Sequence, residues 1–302
     1  MILVVGATGL LGAEICRCLR GRGHVVRALV RRSSPKAAAI GALGVETVFG
    51  DLKDRASLDT ACREAAAVIT TANTMAARQP GDTLKTVDRD GQLALVEAAK
   101  RAGALRFLYV SVSPNLPADN PFVLYKREVE RAIRASGMTW TILQPSAFME
   151  IHAGAPLGWD FAAGRARIMG SGRAPMSYIS LNDVAQFAAL AIDDAKAANR
   201  DLHITGPEPL TAADAVRIAE RVTGRSFTVQ RVPARLLKIL SILLRPVAPI
   251  PSSLMALAVG LDRGEILDMT RVLQDFPVRL TTFEEYVRSM IERGTPQPFL
   301  AP

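Results

Sequence analysis

Cysteine, aromatic residues and clustered charge are all scarce in this chain of 302 residues. The three cysteines (Cys16, Cys18 and Cys62) are too few for a disulfide framework and have no His or Cys partner at metal spacing, so we expect reduced thiols and no metal. Aromatic residues make up 5% of the chain, which leaves few platforms for base stacking. The net charge of +8 comes without any run of more than two basic residues, which favours an anionic cofactor or substrate and argues against nucleic acid.

Long apolar runs are also absent. The most apolar stretch, 239–261, is broken by Arg245 and three prolines, so it cannot cross a bilayer as one helix. The first predicted strand begins at Ile2 and leaves no room for a signal peptide. With 49% hydrophobic residues the chain can bury the core of one or two domains, and we expect a cytoplasmic protein.

The most informative feature is a glycine turn between a predicted strand and a predicted helix. Gly6, Gly9 and Gly12 follow an apolar run, and helical periodicity begins after them. Gly6 permits a tight turn, Gly9 lets backbone amides approach a pyrophosphate, and Gly12 brings the helix close to the strand. Because free N–H groups at a helix N-terminus attract anions, the motif predicts dinucleotide binding. The predicted contacts of this turn are Gly6, Thr8, Gly9, Leu10, Leu11 and Gly12.

The residues after the second predicted strand indicate which dinucleotide binds. An NAD site usually carries an acid about 20 residues after the glycines, whereas an NADP site has an arginine near that point. Here Arg31 and Arg32 follow the strand, with no acid beside them in the sequence. A guanidinium can bind the 2′-phosphate with two hydrogen bonds, so the pair favours NADP(H), although a solvated basic loop is the alternative.

Strand and helix signals alternate through the first half, which predicts an α/β fold with a doubly wound parallel sheet, the Rossmann arrangement. After about residue 145 the pattern changes to turns and helices. A helix restarts near Asn182 or Asp183, either of which is expected to be its N-cap, so we interpret Asp183 as structural rather than catalytic. The predicted division is an NAD(P)-binding domain over 1–150, to which 181–205 returns, and a smaller, mostly helical substrate or cap region over 151–180 and 206–302.

Several polar residues fall where predicted strands end, and in an open parallel sheet ligands bind at that edge. Each alone could be a turn residue. Asp51 could equally be a helix-start carboxylate, and Lys126 an exposed helix lysine. Their convergence on one edge nevertheless favours a joint site. They are Asp51, Thr70, Thr71, Ala72, Asn73, Ser111, Ser113 and, on the following helix, Lys126.

Taken in order, several stretches resemble the NmrA-like group of atypical short-chain dehydrogenase/reductases over essentially the whole chain. They are 6–12, 50–54 with Ser57 and Leu58, 90–100, 110–113, Lys126 with Glu130, 140–145, 148–150 and 276–286. The resemblance implies a Rossmann fold that binds NADP(H), with Pro145 and Phe148 on the nicotinamide side. Beyond the glycine turn, the predicted cofactor contacts are Arg31, Arg32, Asp51, Leu52, Thr71, Ala72, Asn73, Ser111, Lys126 and Pro145.

One position departs from the usual short-chain pattern, Tyr-x-x-x-Lys, in which the tyrosine donates a proton and the lysine lowers its pKa. Four residues before Lys126 stands Phe122, which has no ionisable group. Tyr125 is adjacent to Lys126 and projects about 100° away around the helix, so it is a poor substitute.

The predicted function is therefore NADPH-dependent reduction of an apolar carbonyl or quinone placed between Ser113, Phe122 and Phe148. Lys126 would orient the ribose and supply charge or a proton, and Ser111 or Ser113 would hydrogen-bond the substrate oxygen. Phe122 keeps open a non-catalytic NADP(H) sensor, regulator or assembly factor that binds a protein partner. A third alternative is an epimerase or dehydratase that retains its cofactor, and the oligomeric state stays open.

A late apolar helix is predicted over 234–244, entered through Pro233, a residue favoured near helix starts. Its apolar residues cover more than one face. The first interpretation is packing against the sheet domain or a partner subunit. The alternatives are a lip for a hydrophobic substrate, or a membrane-surface contact supported by Arg235, Lys238 and Arg245.

Overall fold

The computed structural model describes residues 1–75 and 78–292. It contains a seven-stranded sheet whose strands lie between residues 2 and 204. Its strands are β1 (Ile2–Val5), β2 (Val26–Val30), β3 (Glu46–Phe49), β4 (Ala67–Thr70), β5 (Arg106–Val110), β6 (Thr139–Pro145) and β9 (Arg200–Ile204). The strand order is β3-β2-β1-β4-β5-β6-β9, and every pair from β3 to β6 is parallel.

The first strand shows why this sheet forms. All four residues of β1 are buried, as expected for a parallel strand covered on both faces. It pairs with β2 on one side and β4 on the other, with Val5 opposite both Leu29 and Thr70. The strand order reverses between β1 and β4, which is the switch point where ligands of such sheets bind. The predicted fold class is confirmed.

Helices of the predicted alternating pattern follow the strands. The sheet packs on a core cluster that includes Leu3, Leu95 and Phe107. An eight-residue π-helical segment, Leu84–Gly91, runs directly into the fourth helix. The helices are α1 (Leu10–Gly21), α2 (Ala37–Gly41), α3 (Arg55–Cys62), α4 (Gln92–Arg101) and α5 (Pro121–Arg134).

The chain divides into two compact units, 1–112 with 121–144 and 184–203, and 113–120 with 145–183 and 204–302. The second unit holds two small two-stranded sheets, one of them the parallel pair β7 and β11. Its strands are β7 (Arg165–Met169), β8 (Met176–Ser177), β10 (Pro209–Leu210) and β11 (Thr228–Val232).

The later helices of the chain are α6 (Met149–His152), α7 (Leu181–Ala191), α8 (Ala212–Thr223), α9 (Ala234–Leu244), α10 (Pro249–Leu261), α11 (Thr270–Asp275) and α12 (Phe283–Glu292).

The start of α7 differs from the prediction. Neither Asn182 nor Asp183 is the N-cap, because the helix begins at Leu181 and the Ser180 hydroxyl accepts a hydrogen bond from the Asp183 amide at 3.3 Å. Asp183 is instead fully buried, and its carboxylate accepts from the amide and hydroxyl of Thr281, each at 2.8 Å. Burial raises the pKa of this carboxyl group. Its hydrogen bonds with Thr281, in the same unit, agree with a structural role.

Among residues 1–75 and 78–292, no helix is both long enough and apolar enough to span a membrane. The predicted helix 234–244 is present with the same bounds, after Pro233. Several of its apolar side chains are exposed, so packing within the chain does not cover them.

Candidate functional site

The glycine turn leads from β1 into α1 and leaves the start of that helix open. Gly6 has φ of +90°, a value that glycine adopts without strain, and its carbonyl accepts from the Gly9 amide at 2.9 Å. Gly9 is the N-cap, so no side chain caps the helix, and its first turn contains no acid. The first amides of α1 therefore have no acceptor within the helix and are available to an anion.

Close packing fixes this turn against the end of β4. A Cβ added at Gly12 would lie 2.1 Å from the Gly6 carbonyl oxygen, and one added at Gly6 would lie 2.7 Å from Thr71 Oγ1. Neither position can therefore carry a side chain. The same packing brings Thr71 and Ala72, two predicted contacts, beside the turn. The residues present fit a dinucleotide pyrophosphate at this edge.

Arg31 lies at the carboxyl end of β2, but it is paired with an acid that is distant in sequence. Its Nη1 atom is 2.6 Å from Asp82 Oδ2, and Lys53 Nζ contacts the other oxygen of the same carboxylate. The Asp82 side chain is 2% exposed, whereas those of Arg31 and Lys53 are 29% and 28% exposed. Burial opposes ionisation of Asp82, but hydrogen bonds from Lys53, the Gln79 amide and Arg31 hold its pKa below the ordinary value.

Residues 79–82, here called the crossing segment, contact residues that follow β2 and β3. The Gln79 amide donates to Asp82 Oδ2 at 2.8 Å, and the Gln79 side chain contacts Ser33 Oγ. Lys53 Nζ also donates to the Pro80 carbonyl at 3.4 Å. Sequence reasoning missed both Lys53 and Asp82. Lys53 follows the predicted contacts Asp51 and Leu52 directly, but no short-range pattern identifies Asp82.

The other predicted contacts at this end have different surroundings. The Arg32 guanidinium lies over the Phe49 ring, 5.0 Å from its centroid. Asp51 is partly exposed, and its Oδ1 accepts from the Lys53 amide at 2.8 Å. Leu52 is buried in the core of the sheet. At the end of β4, Asn73 donates to the Thr71 carbonyl at 3.2 Å.

Lys126 on α5 is buried rather than exposed. Its Nζ atom donates to the Val110 carbonyl, the last residue of β5, at 3.0 Å. The ammonium group lies 4.6 Å from the centre of the Tyr109 ring and 5.5 Å from that of Phe122. Burial lowers the pKa of Lys126 to about 8, against the opposing effect of the charges on Asp88 and Glu130.

The two acids near Lys126 have hydroxyl partners of their own. Ser111 Oγ donates to Glu130 Oε1 at 2.5 Å, so this predicted catalytic hydroxyl already has an acceptor. Thr74 Oγ1 donates to Asp88 at 2.5 Å. Burial raises the pKa of Asp88 to about 6, although Thr74 and the charge of Lys126 oppose the shift. The group therefore titrates close to neutral pH.

Three predicted residues belong to the second unit. Ser113 is buried and donates to Glu265. Pro145 is buried at the end of β6, and Phe148 is half-buried at the start of α6, in a bridge with Ile179. A separate pocket of about 660 Å³ in this unit is lined by none of the predicted residues.

Comparison with known proteins gives consistent results. The model of the NmrA-like family matches residues 1–287. Ycf39, a photosystem II assembly factor of Synechocystis, is 28% identical, and the alignment covers 97% of this chain and 91% of that protein. A (4-alkanoyl-5-oxo-2,5-dihydrofuran-3-yl)methyl phosphate reductase of Streptomyces griseus is 33% identical, with 77% of each chain covered.

Among solved structures, an NADPH-dependent quinone oxidoreductase of Escherichia coli in complex with NADPH has the same fold, with a TM-score of 0.76 and 22% identity. The match covers 96% of this chain and all of that one. That neighbouring structure holds NADPH, and the match to the NmrA-like family bears out the predicted NADP(H) cofactor. The relatives include both reductases and an assembly factor, so they leave both predicted functions open.

Proposed function

Because the chain belongs to the NmrA-like family, we propose that it is an NADPH-dependent oxidoreductase that reduces an apolar carbonyl or quinone. The glycine turn and the first amides of α1 would hold the pyrophosphate. Arg31, with Lys53 beside it, would bind the 2′-phosphate. When bound, NADPH supplies a hydride, and reduction of the substrate also requires a proton.

The observation that carries this proposal is the environment of Lys126. Its ammonium group is buried between two aromatic rings and donates to the end of β5, at the sheet edge where ligands of this fold bind. A lysine with a pKa of about 8 can hold and release a proton near neutral pH. It would also place a positive charge where negative charge develops on the substrate oxygen.

Cofactor titration tests the binding part of the proposal. We expect NADPH to bind more tightly than NADH, and Arg31→Ala to weaken NADPH by roughly ten- to a hundred-fold while changing NADH little, since only NADPH carries the 2′-phosphate. Arg22→Ala is the matched control, because Arg22 is an exposed arginine that follows α1. Equal affinity for both cofactors would overturn the role of Arg31.

Turnover is tested with a panel of quinones and carbonyls. We expect NADPH oxidation with at least one apolar member, and Lys126→Met to lower kcat by about a hundred-fold or more, the usual contribution of a positioned acid or base. NADPH binding by the variant separates a loss of chemistry from a loss of folding. No NADPH oxidation with any member of the panel would exclude the enzymatic function while leaving cofactor binding intact.

A non-catalytic NADP(H)-binding regulator or assembly factor is the second candidate. The buried phenyl ring of Phe122 stands where the proton-donating tyrosine is expected, and the Ser111 hydroxyl is already donated to Glu130. Cofactor binding without turnover, together with a partner whose affinity differs between NADP⁺ and NADPH, would support this candidate.

A further inference from the structure

The surface of α9 and the turn after it exposes an unusual number of large aliphatic side chains. Leu236, Ile239, Ile242, Leu243 and Val247 are between 46% and 78% exposed. The opposite face of the helix is already occupied, because Leu237 and Ser241 are buried and the Ser241 carbonyl accepts from Ser252 Oγ of α10 at 2.6 Å. The exposed face therefore takes no part in the packing of α9 against α10.

Charge around this patch has one sign. Between Glu220 and Asp262 the chain contains no acidic residue over 41 positions, but it contains six basic ones. Three of them, Arg235, Lys238 and Arg245, lie on or directly after α9. Their side chains are exposed and form no ion pair with another described residue. The patch is therefore bordered by three cations that form no ion pair with a described residue.

Most of the exposed aliphatic side chains lie on a different side of α9 from the basic side chains. At about 100° per residue, Leu236, Ile239 and Leu243 fall within a sector of roughly 60°. Arg235, Lys238 and Arg245 fall together in the adjoining sector, which also contains Ile242, between that stripe and the buried face. An apolar stripe bordered by basic side chains is the arrangement of a helix that lies in the plane of a membrane surface.

We propose that the exposed face of α9 binds the surface of an anionic lipid bilayer, with the aliphatic stripe inserted at the headgroup boundary. The helix has 11 residues, about 16 Å in length, so it can lie on a bilayer but cannot cross it. The long side chains of Arg235, Lys238 and Arg245 would reach the lipid phosphates while their methylene groups extend the apolar contact.

Other occupants of the patch fit less well. A second copy of the chain would bring two surfaces of the same charge together across a symmetric interface, which is repulsive. An acidic protein partner would meet a surface without the aromatic side chains in which protein interfaces are enriched, since no aromatic residue occurs between Phe227 and Phe276.

Vesicle sedimentation tests the proposal. We expect the protein to sediment with vesicles of equal parts phosphatidylcholine and phosphatidylglycerol, not with phosphatidylcholine alone, and to be released at 1 M salt, where charges are screened within about 3 Å. The combined variant Arg235→Gln, Lys238→Gln and Arg245→Gln should bind on the order of a hundred-fold more weakly, since each charge near such a surface contributes roughly five-fold. Its matched control, Arg22→Gln, Arg63→Gln and Lys100→Gln, has the same net charge and should bind like the unchanged protein.

A second variant, Leu236→Ser, Ile239→Ser and Leu243→Ser, tests the apolar stripe and should also lose vesicle binding. Because these side chains are exposed, we expect it to unfold at the same temperature as the unchanged protein. The proposal would be overturned if the unchanged protein stayed in solution with anionic vesicles, or if the control variant lost binding equally. It would also be overturned if the serine variant lost only self-association, measured by sedimentation velocity.

Discussion

At the scale of single residues, the unexpected feature is a buried carboxylate between two cations. Asp82 lies 51 positions from Arg31 in the sequence and contacts both Arg31 and Lys53. Its side chain is more buried than either partner and is held by the Gln79 amide. Such a carboxylate is itself fixed, and it fixes the direction of the two cations. We therefore interpret Asp82 as a residue that positions both cations for the 2′-phosphate.

Replacement of this carboxylate should change cofactor preference. In Asp82→Ala, Arg31 and Lys53 lose their common partner and gain rotational freedom, so we expect NADPH affinity to fall about ten-fold, equivalent to about 1.4 kcal/mol. NADH affinity should change little. Titration with both cofactors measures the ratio. Tighter NADPH binding by the variant would show instead that Asp82 competes with the phosphate.

The second residue-scale feature is Asp88, whose pKa of about 6 gives stability a defined dependence on pH. The folded state binds the proton more tightly than the unfolded chain, whose Asp has a pKa near 3.9. This contribution to stability is complete below about pH 4 and is lost as pH rises through 6. Asp88→Asn should therefore raise the free energy of unfolding by about 1–3 kcal/mol at pH 7.5, with no gain at pH 4.

Urea denaturation of both proteins at the two pH values measures this difference. Asn retains an oxygen that can accept from Thr74, so the hydrogen bond at 2.5 Å has a substitute. Glu97→Gln is a suitable control, because Glu97 is an exposed acid on α4. A gain of the same size at pH 4 and pH 7.5 would contradict the role of ionisation.

At the scale of elements, the glycine turn depends on the close approach of α1 to the end of β1. Gly12→Ala would place a methyl group 2.1 Å from the Gly6 carbonyl oxygen, so the helix would have to move away. We expect a loss of about 3 kcal/mol or more in the free energy of unfolding, and loss of NADPH binding. Gly21→Ala, at the other end of the same helix, meets nothing within 4 Å and should change stability by less than about 1 kcal/mol. Equal effects in urea denaturation would contradict this account.

The elements themselves were largely predictable. The apolar run 2–5 and the glycines after it predict β1 and α1, and Pro233 with an apolar run predicts α9. These signals are local. The predicted N-cap of α7 was wrong because Ser180, Asn182 and Asp183 are all residue types that cap helices well. The Asp183 side chain instead contacts Thr281, which is 98 positions away and cannot be found from local sequence.

The same limit applies to the candidate site. Strand ends place Arg31, Asp51 and Thr71 at one edge of the sheet, and Lys126 reaches the end of β5 from α5, but a strand end does not reveal what a side chain contacts. The pairing of Arg31 with Asp82 depends on a segment that starts after β4 and reaches β2 and β3. No periodicity or spacing in the sequence encodes that route.

At the scale of the whole molecule, every residue proposed to hold the pyrophosphate and 2′-phosphate lies in the first compact unit. NADPH at a hundred times its Kd should stabilise the protein by about 2.7 kcal/mol. In hydrogen exchange, we expect NADPH to slow the locally opening amides of the glycine turn, the start of α1 and the crossing segment. Amides of β7 and β11 in the second unit provide the internal control. Slowing of the same size in both sets would contradict this assignment.

The contact of Asp82 with two cations also affects how strongly NADPH binding should depend on ionic strength. The proposed phosphate site contains its own counter-ion, so its two cations and Asp82 together carry one net positive charge, and we expect few salt ions to be displaced when the cofactor binds. The cations beside α9 have no such counter-ion among the described residues. We therefore expect the two cationic surfaces to differ in salt sensitivity, so that a rise in salt that releases α9 from a lipid surface weakens NADPH binding less.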